Sequence, residues 1–133
     1  MAIILDADVI IRGEKGNFDL QGWVTARPEE VFEVAAITVA ELWHGVERAS
    51  ALHRAKRQRY LQGIIAMLPV IPYTEQTAYE HARIWAKFEA TGKMIGYYDV
   101  IVAETALERG SQVASFNQEH FAQIKGLKVI EPK

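Results

Sequence analysis

Ile3-Ile4-Leu5-Asp6-Ala7-Asp8-Val9-Ile10-Ile11 opens the chain with three consecutive apolar residues, a carboxylate and an apolar-rich continuation. A short, fully apolar run suits a strand buried on both faces, as in a parallel sheet. From about Val9 to Ile11 the chain reads as the start of a helix, which Gly13 and Gly16 then loosen. The same alternation continues downstream. Asp19 to Ala26 reads as a short helix ending before Pro28, and Phe32 to Ile37 as a second strand. Thr38 then opens a helix, where Thr38-Val39-Ala40-Glu41 fits the S/T-x-x-E capping box. Ala51 to about Leu68 forms another helix, with Leu61, Ile64, Ile65 and Leu68 at helical spacing and Pro69 as its stop. Val70-Ile71 is a short strand before Pro72. Thr74 to Thr91 is a helix closed by Gly92, and Asp99 to Arg109 a helix ending at Gly110. Gln112 to Ser115 is a strand, Asn117 to Ile124 a short helix, and Leu127 to Ile130 the last strand.

Five strands joined by helices predict an α/β fold around a parallel sheet with right-handed crossovers. In such a sheet, sites form beyond the carboxyl ends of the strands, near the point where strand order reverses. The 133 residues, half of them apolar, suit one compact domain spanning 1–133. No repeat, low-complexity tract or Gly/Ser linker divides them. The absence of cysteine excludes disulfides, thiolate metal sites and cysteine nucleophiles. The opening residues have no basic region followed by an apolar one, and no apolar run approaches the roughly 20 residues that span a bilayer. A cytoplasmic protein without a membrane span is therefore expected. The net charge of −2 decides nothing about nucleic acid, because a local basic patch can supply phosphate contacts.

Four polar residues fall at the expected rim. Asp6 follows the first strand, Glu41 lies early in the helix after the second, Asp99 starts a later helix, and Asn117 follows the fourth strand. Each has an ordinary explanation: a turn residue for Asp6, the capping box for Glu41, the helix dipole for Asp99, an N-cap for Asn117. Parallel strands bring their carboxyl ends to one side, so the four together carry the argument. Two carboxylates about 5 Å apart repel by roughly 3 kcal/mol at an effective dielectric near 20. A cluster of them must protonate, separate or bind a cation, and an all-oxygen donor set suits Mg²⁺ or Mn²⁺.

At these positions the sequence resembles the PIN-domain ribonucleases, and within them the VapC-type toxins of toxin–antitoxin pairs. Four blocks carry the resemblance, in family order: Ile3 to Ile11; Ala36-Ile37-Thr38-Val39-Ala40-Glu41-Leu42-Trp43-His44-Gly45-Val46-Glu47-Arg48; Ile95-Gly96-Tyr97-Tyr98-Asp99-Val100-Ile101-Val102-Ala103-Glu104-Thr105-Ala106-Leu107; and Val113-Ala114-Ser115-Phe116-Asn117-Gln118-Glu119-His120-Phe121. The resemblance implies a PIN-like α/β/α sandwich with a five-stranded parallel sheet of order 3-2-1-4-5. It implies an acidic metal site of Asp6, Glu41 and Asp99 joined by Asn117, and endoribonuclease activity with Mg²⁺ or Mn²⁺. It also implies inhibition by a small VapB-type antitoxin, and a homodimer. Three positions depart from the family's usual residues. Asp8 stands where Ser, Thr or Asn is common and would lie beside the metal, Ser115 replaces a usual Thr while keeping its hydroxyl, and His120 occupies a place where Asp often precedes the Phe. The lower negative charge around Asn117 and His120 implies a weakly held second metal.

Other readings compete. Asp6-Ala7-Asp8 also fits a HAD-type phosphotransferase, with Asp6 as nucleophile and Asp8 as acid/base, but the later Lys and acidic pair are not identifiable and the chain is short. A non-catalytic PIN-fold module that binds RNA or protein is the other alternative. Arg48, Arg54, Lys56, Arg57 and Arg59, with His53, make a stretch free of acidic residues. It reads either as a solvated helix face or as phosphate contacts to RNA. Trp23, Trp43, Trp85, Tyr73, Tyr79, Tyr97 and Tyr98 read mainly as packing. Tyr97 or Tyr98, next to Asp99, could stack on a base, and the exposed side of Thr74 to Thr91 could be a dimer face.

Overall fold

The computed structural model describes residues 2–93 and 95–133. Strand β1 (Ala2–Leu5) sits in the middle of the sheet. It pairs in parallel with β2 (Val31–Ala35) on one side and with β4 (Gln112–Ala114) on the other. The edges are β3 (Val70–Ile71), parallel to β2, and β5 (Val129–Ile130), parallel to β4. The order is β3-β2-β1-β4-β5, the expected 3-2-1-4-5. It reverses between β1 and β4, so the switch point lies at the carboxyl end of β1.

The pleat of β1 explains the apolar opening run. Ile3 and Leu5 point into one core, shared with Val9, Ile10, Leu20, Trp23, Leu42 and Leu61. Ile4 points into the other, shared with Ile84, Phe88, Val102, Ala106 and Phe121. Successive side chains face opposite ways along a strand, so three apolar residues serve two layers. The first layer holds α1 (Ala7–Glu14), α2 (Leu20–Thr25), α3 (Ala36–Arg48) and α4 (Ala51–Ala66). The second holds α5 (Glu75–Thr91), α6 (Tyr97–Arg109) and α7 (Gln118–Ala122). Among the described residues, no helix is long and apolar enough to cross a membrane.

Two helix starts differ from expectation. The second strand ends at Ala35, and α3 begins at Ala36 with no side-chain cap. Its neighbour β3 offers partners only to Val34 and Ala35 before Pro72, so the ladder stops and the chain turns into the helix. Thr38 therefore lies inside α3, fully buried with Oγ1 unpartnered, and the expected capping box with Glu41 does not form. The box that does form is at α5, where Thr74 Oγ1 accepts from the Thr77 N–H at 3.2 Å and Thr77 Oγ1 accepts from the Thr74 N–H at 3.1 Å. Helix α6 begins at Tyr97, placing Asp99 in its first turn. A Cβ at the preceding Gly96 would lie 3.1 Å from Asp99 Oδ2, close enough that the carboxylate would have to give by a few tenths of an ångström.

Candidate active site

Asp6 closes β1 and caps α1. Its backbone N–H extends the ladder to Ala114 O at 3.0 Å, while Oδ1 accepts from the Ala7 N–H at 2.9 Å. Its other oxygen, Oδ2, accepts from Ser115 Oγ at 2.8 Å, across the β1–β4 switch. Ser115 is fully buried, and its hydroxyl oxygen also accepts from the Asn117 N–H at 2.9 Å. Asp8 lies on the same side, with Oδ2 accepting from the Phe116 N–H at 3.0 Å and Oδ1 3.5 Å from Ser115 Oγ. A single hydroxyl thus ties Asp6 to the chain at Asn117, while the Phe116 N–H anchors Asp8 beside it.

Asp6 and Glu41 both feel the charge of Asp99. Burial first, then the charges of Asp8 and Asp99, push the Asp6 carboxyl from its ordinary 3.8 up to about 7, against the opposing bonds from Ser115 and Ala7. Burial, then the charges of Asp6 and Asp99, push Glu41 up to about 7. Burial also raises Asp8, partly offset by the Phe116 N–H and the charge of Arg12. Asp6, Glu41 and Asp99, from β1, α3 and α6, therefore share one field. Glu41 Oε1 is buried without a hydrogen-bond partner, a costly condition for a charged acceptor. Asp99 Oδ2 is engaged by His120 Nδ1 at 3.0 Å.

Among the described residues, no three acidic or imidazole side chains are gathered tightly enough to form a ready-made metal cage. The cluster is an open one. Its donor set fits Mg²⁺ or Mn²⁺, ions that take one or two carboxylates and keep several waters, and the unpartnered Glu41 oxygen is the kind of acceptor such a hydrated ion would satisfy. Asn117 stands at the start of α7 with an exposed side chain that makes no cap bond; its backbone N–H is what ties it to the site.

The basic stretch divides. Arg48, Arg54, Lys56 and Arg59 are exposed. Arg54 Nη2 donates to Glu47 O at 2.7 Å. Arg57 is half-buried, bridging Glu14 Oε2 at 3.1 Å and Gly45 O at 3.2 Å, so part of the stretch holds α4 against α1 and α3. Arg57 nevertheless lines a cavity of about 180 Å³ with Lys15 and Glu41, which links α4 to the carboxylate cluster. Two neighbours of the cluster escaped the sequence reading. Arg12 lies over the Phe116 ring, 4.2 Å from its centroid, and its charge reaches Asp8. His120 was seen as a departure from the family, but its contact with Asp99 spans 21 residues and leaves no local signal.

The sequence matches the PIN domain family over residues 3–127. It is 32% identical over 139 aligned positions to VapC ribonuclease Y4jK of Sinorhizobium fredii, covering 98% of this chain and 96% of that protein. It is 26% identical over 131 positions to ribonuclease VapC1 of Rickettsia felis, again covering 98% and 96%. The structure of DNA-bound VapBC from Salmonella typhimurium superposes with a TM-score of 0.88 at 25% identity, covering 98% of each chain. VapBC2 of Rickettsia felis, bound to a DNA fragment from its promoter, superposes at 0.89 and 18% identity over the whole of both chains, a likeness of fold. With the match running from β1 almost to β5, the chain belongs to the PIN domain family, among its VapC-type ribonucleases.

Proposed function

We propose that residues 1–133 act as one nuclease domain, a cytoplasmic Mg²⁺- or Mn²⁺-dependent endoribonuclease that serves as the toxin of a toxin–antitoxin pair. The observation that carries this reading is the pair of carboxyls at the switch point, Asp6 and Glu41, that burial and then neighbouring charge raise, with one Glu41 oxygen left unpartnered. Asp6 and Asp99 would hold the ion directly or through water, Glu41 would hold it or orient the attacking water, and Asn117 would add a carbonyl oxygen. When bound, the ion supplies a nucleophilic water near neutral pH and offsets charge on the phosphodiester. Ser115 keeps one Asp6 oxygen fixed, and Asp8 is anchored beside it. Water attacks phosphorus, the phosphorus–oxygen ester bond breaks, and the departing oxygen takes up a proton. Neither Ser nor Lys acts as nucleophile. Arg48, Lys56 and Arg59 are the free cations of the basic stretch for RNA phosphates, with Arg54 partly committed to a backbone carbonyl and Arg57 to the Glu14 carboxylate and Gly45 O.

The likeness to proteins solved as VapBC complexes supports a small VapB-type antitoxin as partner, and a homodimer is the expected assembly. The retained carboxylates favour catalysis over a binding-only module. The test is labelled RNA incubated with the purified protein in Mg²⁺, Mn²⁺ or EDTA, alongside Asp6→Ala. Cleavage is expected in either metal and absent in EDTA or in the variant. Cleavage that survives EDTA, or persists in Asp6→Ala, removes the metal mechanism. An absence of cleavage by wild type across a panel of ribosomal, transfer and messenger RNAs favours the binding module.

A further inference from the structure

The contact between His120 and Asp99 plays no part in the reading above, yet its geometry is specific. Helix α7 follows β4 closely and is pinned by Phe121, which is fully buried in the core beneath α6. That anchor sets the neighbouring His120 against the first turn of α6, with Nδ1 3.0 Å from Asp99 Oδ2. The imidazole is about half exposed, with a side-chain accessibility of 55%, whereas the Asp99 side chain keeps 20%. A carboxylate oxygen accepts, so the hydrogen of this bond sits on Nδ1. The same oxygen lies close to Gly96, where a Cβ would stand 3.1 Å away. Asp99 Oδ2 is thus held by a donor and spared a close Cβ at position 96. An aspartate at position 120 would instead place a like charge there.

We propose that His120 is a positioning residue for the metal site. Donating from Nδ1 to Asp99 Oδ2, it holds the Asp99 carboxylate in one rotamer in the first turn of α6. This inference rests on the metal-dependent reading. Partners that orient a ligating carboxylate are worth about 10- to 100-fold in metal affinity. Side-chain chemistry supplies a discriminating set of variants. The amide nitrogen of Asn occupies the place of His Nδ1, whereas that of Gln corresponds to Nε2, so only His120→Asn can remake the bond.

The experiment is Mn²⁺ titration of the purified protein at fixed pH, with free Mn²⁺ followed by electron paramagnetic resonance, for wild type, Asp99→Asn, His120→Ala, His120→Asn and His120→Gln. Metal-free melting curves of each protein control for folding. Wild type is expected to bind, Asp99→Asn to lose affinity, His120→Ala and His120→Gln to weaken about 10- to 100-fold, and His120→Asn to remain near wild type. The metal-free melting temperature of His120→Ala should stay within about 3 °C of wild type, because the ring is half exposed. Wild-type affinity in His120→Ala, or equal weakening in all three His120 variants, overturns the positioning role while leaving the metal site standing. A wild type that binds no Mn²⁺ defeats the metal reading itself, and the positioning role with it.

Discussion

Replacing Asp6 by Asn should stabilise the metal-free protein while removing its response to metal. Asp6 is only 5% exposed, and its carboxyl sits at about 7 instead of 3.8. At about 1.4 kcal/mol per pH unit, its ionisation in the folded state is disfavoured by roughly 4 kcal/mol. The folded state binds this proton more tightly than the unfolded state does. The stability it contributes is therefore complete below about pH 4 and is lost as pH rises through about 7. Asn keeps the shape and one acceptor for Ala7 or Ser115, but retains the cost of burying a polar group. The net gain at pH 8 in EDTA should be about 1–3 kcal/mol, falling by about 2 kcal/mol, to near zero, at pH 5.5. Urea unfolding followed by the fluorescence of the buried Trp23 measures it. Saturating Mn²⁺ should then stabilise wild type and leave Asp6→Asn unchanged. A variant less stable than wild type at pH 8, or a difference that does not vary with pH, refutes the claim that this carboxylate is held under electrostatic stress.

Three further outcomes are expected. Ser115→Ala removes the buried hydroxyl that donates to Asp6 and accepts from Asn117, and should cost about 2–4 kcal/mol in urea unfolding; Ser115→Thr, which keeps the hydroxyl, should lie closer to wild type. Arg109→Ala leaves Glu33, buried within β2, without its guanidinium partner. Because Arg109 is itself 41% exposed, the loss should fall at or below the lower end of the usual range, about 2–3 kcal/mol, and a change below about 0.5 kcal/mol would show the pair to be inert. Thr38→Val matches the shape of a buried residue whose hydroxyl has no partner, so the melting temperature should hold or rise, by the equivalent of up to about 1 kcal/mol; a marked fall would reveal a hidden partner for that oxygen.

What the residues disclosed in advance, and what they concealed, follows from the range of the forces involved. Ile3-Ile4-Leu5 followed by Asp6 announced a central strand and a rim carboxylate, because burial on both faces needs only local apolar composition. Leu61, Ile64 and Ile65 announced the inner face of α4 in the same way, and the structure packs them, with Leu68 just beyond the helix, against the first core. Thr38 misled, since S/T-x-x-E looks the same inside a helix as at its start. The deciding fact, that β3 pairs only with Val34 and Ala35, lies some 30 residues downstream. Glu33 and Arg109 are 76 residues apart, and Ser115 and Asp6 109 apart; neither link has a local signature. Arg57 looked like its basic neighbours until its guanidinium was found on Glu14 and Gly45.

The place of β4 in the sheet has a consequence for synthesis. One long edge of β1 has no neighbour until residues 112–114 exist to fill it, and the hydroxyl that grips Asp6 arrives one residue later. A growing polypeptide, or one clipped ahead of that point, carries Asp6, Glu41 and Asp99 without the piece that closes the rim. A rim arranged this way is complete only when nearly all of the chain has been made.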